Sequence, residues 1–280
     1  MNFTSFSRES GGNALLTLTG IAPDASPVDR RAIQTNWIEY FTHNRSQRIP
    51  IPWERGVAVE PGLRTPLARS LQRFQLGESG GGAHLARVAS REGDTTGVPG
   101  YAAAIRLFLE EEREHAALMA KVLTALGAPP LRSHWSNTIF RLACALSGLH
   151  LELMVLLVTE TIAKQYFSLL YASSDDPVLK SVCAQIGLDE DGHIEFHCDA
   201  LRPRLSSLPP VTCRIVRRAW QLFFDLVCLL VICDHRALLH ATGVPARAFW
   251  DDCRWFFDKT VTTQVLEPTV SPKPGTKTPA

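Results

Sequence analysis

GLDEDGHIEFH (187–197) and EEEREHAALMAKVL (110–123) are the stretches from which the fold of this chain can be read. Each holds a Glu-x-x-His motif, Glu190–His193 in one and Glu112–His115 in the other. On a helix, residues three apart share a face, so a carboxylate and an imidazole can reach one metal ion together. With 15 Glu and 9 His in 280 residues, chance supplies roughly half a match, so the motifs alone decide little. Their spacing from two other acids says more. Glu78 lies 34 residues before Glu112, and Glu160 lies 30 before Glu190. At about 1.5 Å per residue, two antiparallel helices with a short turn bring each pair to one level, roughly 20–25 Å from the turn. Glu160 also interrupts the apolar run MVLLVTETIA (154–163). A carboxylate there is costly to bury unless it is paired or bound to a metal.

Working outward, helix formers dominate and strand-like alternation is scarce, which predicts an all-α fold. A first long helix is expected over 66–91, ended by REGDTTGVPG, and a second over 100–126, stopped by Gly127 and Pro129-Pro130. A short helix is expected over 135–147 and a long apolar one over 149–172. SSDDP (173–177) then opens a helix over 177–205. Two further helices follow, over 211–241 and 246–261. Upstream, 31–44 reads as a helix followed by RSQRIPIPWERG. Residues 1–30 read as a flexible leader, 31–262 as one helical domain with its bundle core at 66–205, and 263–280 as a disordered tail.

Composition narrows the class. The formal net charge is +1, so nothing points to nucleic acid or an acidic surface. The seven cysteines form no CxxC pair and lie mostly in apolar runs, which suits reduced, packed thiols in a cytoplasmic protein. No signal peptide is read at the N-terminus. The strongest apolar run, LFFDLVCLLVI (222–232), is too short to span a bilayer and carries Asp225, so it reads as a buried helix covering the bundle. No membrane partner is expected.

Four carboxylates (Glu78, Glu112, Glu160, Glu190) and two imidazoles (His115, His193) suit two hard or borderline divalent ions, and the lack of thiolate disfavours zinc or an iron–sulfur cluster. One Glu from each of two helices and Glu-x-x-His from each of the other two is the ligand pattern of ferritin-like di-iron carboxylate proteins. Over about 66–205 the chain resembles that superfamily. LDEDGHIEFH is similar to its fourth helix, and RFQLGESGGG, the segment around EEEREHA and the 149–172 helix are similar to a bacterial branch of it. The resemblance implies a ferritin-like four-helix bundle with an extra N-terminal segment and two C-terminal helices. It implies two metal ions, iron by expectation, with a Mn/Fe pair as the alternative. It also implies Asp189 orienting His115 and Glu111 orienting His193 from behind.

The expected activity is an O2-dependent oxidase or oxygenase acting on a small organic or acyl-type substrate, with an electron-transfer partner and a homodimer as possible partners. Iron handling as a ferroxidase, or a non-catalytic helical interaction module, are the alternatives. Departures from known subfamilies narrow the choice. Met119 stands where ribonucleotide reductase carries its radical tyrosine. Ala163 and Lys164 stand where hydroxylases carry a threonine, and Ile186 where N-oxygenases carry a third histidine. Glu152 is the rival to Glu160 as a ligand. Lys164 is expected to pair with Glu160 one turn away, and His197 reads as a core or solvent-edge histidine. His84, Asp234, His235 and His240 form no second site by spacing, and the tryptophans read as packing.

Overall fold

Local chemistry marks where the helices begin. Asn36 caps α1 (Trp37–Ser46) by accepting from the backbone N–H groups of Ile38 and Glu39. Glu60 and Pro61 open α2 (Pro61–Glu78), and α3 runs Gly82–Glu92. Gly100, at φ 65°, adopts the left-handed conformation at the start of α4 (Tyr101–Ala125). Asp176 accepts from Leu179 N–H at 2.7 Å and sets the start of α6 (Pro177–Leu205), which follows α5 (Leu149–Ala172) after a four-residue turn. The remainder is α7 (Pro210–Ala241), α8 (Ala246–Phe256), a π-helical turn Phe257–Thr262 and the short α9 (Thr263–Leu266). The computed structural model describes residues 36–79, 82–135 and 148–266, and no strand occurs among them.

α5 and α6 are buried on nearly every side; α5 is apolar almost all round, whereas α6 buries Gln185, Asp189, Glu190, His193 and His197 among its apolar residues. They fold back on each other: Lys164 Nζ of α5 donates to Gly187 O of α6 at 2.7 Å, which is the level an antiparallel pair about the 173–176 turn requires. α2 with α3 packs against α4 as the second antiparallel pair. The backbone N–H of Leu149 donates to Glu92 Oε2 at 3.2 Å, so α4 and α5 begin at the same end of the bundle. α1 lies across α4 and buries Trp37 and Phe41. α7 covers α2 and α5 with Trp220, Phe224 and Cys228. α5 is the one helix among the described residues long and apolar enough to cross a bilayer, and 78% of its most apolar window is buried inside the bundle.

Several expectations need correction. The continuous helix over 66–91 is two helices with different bounds, Pro61–Glu78 and Gly82–Glu92. Pro66 does not start the first but sits inside it, one turn in, where its missing N–H removes a single hydrogen bond. The glycines at 77 and 80–82 favour a break, because glycine is a poor helix former. The last long helix ends at Phe256 rather than 261 and continues as a π-helical turn. Residues 263–266, expected in a disordered tail, are helical, and Val265 and Leu266 are buried against the bundle. Arg202 Nε of α6 donates to Gln264 O at 2.9 Å and holds this turn in place. Finally, α7 is buried on one face only, since Leu222, Leu226, Leu229 and Leu230 are exposed. The leader over 1–30, the helix over 135–147 except Trp135, and the tail beyond 266 lie outside the described residues.

Val265→Asp puts an unpaired charge into this packing and should cost about 3 kcal/mol. Thermal unfolding is expected to shift down by roughly 6–12 °C; an unchanged midpoint would place α9 outside the core.

Candidate metal centre

Four helices deliver carboxylates or imidazoles to one level of the bundle. Glu112 and His115 come from α4, Glu190 and His193 from α6, Glu160 from the middle of α5, and Glu78 from the last residue of α2. One ligand-capable atom from each of Glu112, His115, Glu190 and His193 lies within 4.8 Å of the other three. His193 Nδ1 is 3.2 Å from Glu112 Oε1 and 3.5 Å from Glu190 Oε2, while His115 Nδ1 is 3.5 Å from Glu112 Oε1 and 3.8 Å from Glu190 Oε1. Both histidines and Glu190 are fully buried. Glu78 adjoins Glu112 and Glu160 adjoins Glu190, close enough for each pair of carboxyls to perturb one another. Of the six residues singled out from the sequence, Glu112, His115, Glu190 and His193 therefore form one cluster, with Glu78 and Glu160 beside it.

The imidazoles are aimed from behind. Asp189 Oδ2 lies 3.0 Å from His115 Nε2, and Glu111 Oε2 lies 3.0 Å from His193 Nε2. Each histidine is thus held by the acid that precedes the other motif, which ties α4 to α6 twice. With Nε2 engaged, Nδ1 is the nitrogen left to point inward. Behind these acids stands a further layer that sequence reasoning missed. Asn44 Nδ2 of α1 donates to both Glu111 Oε1 and Asp189 Oδ1 at 2.8 Å. Arg48 Nη1 donates to both oxygens of Asp189 at 2.7 and 2.8 Å, and Nη2 to Glu114 at 2.6 Å. Gln185 Nε2 adds contacts of 3.0 and 3.1 Å to Asp189.

A signal for α1 was present in the motif itself. A Cβ on Gly192 would collide with the Tyr40 phenol. Glycine inside a buried helix, between Glu190 and His193, marks a close approach by another element. Tyr40, Phe41 and Trp37 provide it, with Phe41 packing on His193 from one side and Phe108 edge-on at 4.7 Å from the other.

Electrostatics explains how these groups coexist. Six carboxylates (Glu78, Glu111, Glu112, Glu160, Asp189 and Glu190) face two imidazoles and the guanidinium of Arg48. Burial and the neighbouring Glu112 charge raise Glu78 well above the usual carboxylate range, and burial with Glu190 and Glu112 does the same to Glu160. Burial alone would lower His115, but its hydrogen bond to Asp189 and the adjacent Asp189 and Glu112 charges outweigh that and carry it up to about 10. His193 moves up for the same reason through Glu111, Glu112 and Glu190. Burial would raise Asp189, yet the His115 hydrogen bond and the His115 and Arg48 charges bring it down to about 2. Protons thus take up negative charge that cations could take instead.

The donor atoms fit a metal. Glu112 Oε1, both carboxylate oxygens of Glu190 and the Nδ1 atoms of His115 and His193 are buried with no hydrogen-bonding partner. Such atoms are rare in a packed core and call for a ligand. Four facing carboxylates and two imidazoles could hold two divalent ions, with Glu78 and Glu160 on the outer sides.

Neighbouring polar residues have other tasks. Lys164 does not pair with Glu160. Its Nζ points across to α6 and bonds Asp191 at 2.7 Å as well as Gly187 O, because the buried ammonium finds two acceptors there. Glu152, the rival ligand, is taken by His84 Nδ1 at 3.0 Å. His235 bonds Ser70 at 2.6 Å, away from the centre. His197 is a core histidine, fully buried beside Phe108. The chain matches no protein-family model, no curated protein and no solved structure.

Two outcomes are expected of the metal-free protein. A raised folded-state pKa contributes stability that is complete below the unfolded pKa and is lost as pH rises through the folded one. For His115 that window is pH 6.5 to about 10, and the raised Glu78 and Glu160 act in the same direction from 4.5 upward. Asp189 acts oppositely, losing its contribution only as pH falls from 3.8 through about 2. The metal-free thermal midpoint should therefore decline from pH 6.5 to 9.5; a level or rising midpoint would contradict a protonated His115. Gly192→Ala should lower the midpoint by several degrees, and adding Tyr40→Ala should recover part of the loss by removing the phenol that the new methyl meets. Non-additivity between the two substitutions is the measured quantity, and its absence would refute the contact.

Proposed function

We propose that the chain is a ferritin-like protein with a dinuclear, non-haem metal centre, iron by first expectation, that uses dioxygen to oxidise a small organic or acyl-type substrate. One observation carries the reading: five buried donor atoms of Glu112, His115, Glu190 and His193 converge without protein partners. The two flanking carboxyls of Glu78 and Glu160, each crowding one of the bridging acids, favour two ions over one. Two ferrous ions held there would supply electrons and open positions to dioxygen.

The chain's own residues set the conditions for that chemistry. Glu112 and Glu190 stand between the two imidazoles, where each can serve both ions. Glu78 and Glu160 are the groups that readily hold a proton at this level and so can give one up when cations enter. Glu111 and Asp189 hold the two imidazoles by Nε2, and Asn44 with Arg48 keeps those acids in place. Phe41, Phe108 and Phe196 exclude water from the His193 side. α1, α7 and α8 enclose a bundle that storage of iron alone would not need to enclose; a small-molecule substrate and an external electron donor are the partners this implies.

Metal analysis of the protein loaded anaerobically with Fe(II) should give about two ions per chain, and oxygen consumption should then need an added reductant and substrate. His115→Ala and Glu190→Ala should each reduce bound iron to less than about half of that. Asp189→Asn should retain iron but weaken its binding by roughly tenfold or more. Wild-type loading in both ligand variants would remove the assignment. Uptake of many irons per chain with oxygen consumed in proportion would make iron the substrate and replace the oxygenase reading with a ferroxidase.

A further inference from the structure

α7 covers the bundle with one face and leaves the opposite face bare. Trp220, Phe224, Cys228 and Leu238 point into the core. Opposite them Val211 is 59% exposed, Ile215 64%, Leu222 69%, Leu226 57% and Leu229 52%, and Cys233 is exposed as well. Their surface amounts to on the order of 600 Å² of apolar area, the upper end of what a monomer shows and close to one side of a standard interface.

The spacing identifies the kind of partner. Ile215, Ala219, Leu222, Leu226, Leu229 and Cys233 follow steps of four, three, four, three and four. That is a seven-residue repeat, whose narrow seam receives another helix, knobs into holes. A lipid surface instead favours a broad apolar face. Charge lies close along one edge of the seam, in Arg214, Arg218 and Asp225.

We propose that this seam pairs with the same seam of a second copy of the chain, antiparallel, about a two-fold axis at Leu222. The exposed apolar stripe extends one step of four beyond the repeat to Val211, and its ends, Val211 and Cys233, place Leu222 at the midpoint and so define the register. Val211 then meets the partner's Cys233, and Ile215 meets the partner's Leu229. Arg218 falls opposite the partner's Leu226, and Arg214 falls opposite the partner's Leu230; Asp225 is engaged by Arg254 of its own chain. Arg236 lies beyond the start of the opposing helix, which begins at position 210. No arginine faces another. A parallel pair would set Arg214, Arg218 and Arg236 each beside its own counterpart, and like charges so placed repel. A symmetric, self-complementary patch of this kind closes as a dimer. The proposal stands apart from the metal reading, since α7 contributes no residue to that centre.

Sedimentation of the full chain at micromolar concentration should show a dimer. Leu222→Arg places two charges at the axis and should raise the dissociation constant by about a hundredfold or more, with the metal centre's stoichiometry and the helical circular dichroism unchanged. In a Cys233→Ser background, Leu222→Cys should form an interchain disulfide under mild oxidation. Native Cys233 should not, because two copies of it would stand roughly 33 Å apart. A monomeric wild type overturns the proposal, whether the stripe is bare or covered by the chain's own residues 1–35 or 267–280. So does a dimer that Leu222→Arg leaves intact or that Leu222→Cys fails to cross-link, and so does a monomer that floats with vesicles of phosphatidylserine and phosphatidylcholine.

Discussion

Six carboxylates gathered in a dry interior against a single guanidinium set the terms for the rest of the molecule. Buried acids cannot all ionise side by side, because the low dielectric strengthens every repulsion and removes the water that would screen it. The cluster offers three remedies. Some acids hold a proton more readily than usual, as Glu78 and Glu160 do. Some are offset by a neighbouring imidazole, as Glu112 is: burial would raise it, but the adjoining His115 and His193 hold it well below its ordinary value. The third remedy is a pair of cations, which would displace these protons. A metal at this level therefore competes with protons for the same oxygens and nitrogens, and its affinity must grow with pH.

That competition is useful only if the donor atoms stay in place when the protons leave. The crossed contacts, Asp189 to His115 and Glu111 to His193, do this across α4 and α6. Asn44 spans both acids, and Arg48 supplies the positive charge that keeps Asp189 ionised. α1 is thus part of the centre without touching its donor atoms. A helix of ten residues would be marginal alone. It is fixed by Trp37 and Phe41 in the core and by the glycine at 192 that admits Tyr40.

The sequence was most legible where periodicity and chemistry agreed. The helices over 149–172 and 177–205 could be read from a buried apolar pattern bounded by Ser-Ser-Asp-Asp-Pro. The six acidic and basic residues at one level could be read from two motifs and two distances. Legibility failed where a tertiary contact overrides a local signal. The helix expected from 66 opens at Pro61 instead, and Pro66 lies inside it. Lys164 looked like an i,i+4 partner of Glu160, but the local pair is worth only a few tenths of a kcal/mol in the open, and a buried ammonium takes two acceptors on α6 instead. Asn44 and Arg48 lie more than 60 residues from the acids they hold, and no spacing rule reaches that far.

His193 and His197 show how finely the placement of acids governs this interior. They lie one turn apart on the same helix, both are fully buried, and both pack against Phe108. Burial pushes each imidazole towards neutrality. At His193 three carboxylates reverse that push. At His197 burial and the charge of neighbouring His193 outweigh the charge of Glu112, no carboxylate bonds the ring, and it is lowered to about 3. The carboxylate layer is therefore about one helical turn thick. Within it the core can exchange protons for cations, and at the level of His197 the ring stays neutral down to about pH 3, which confines that exchange to a single level.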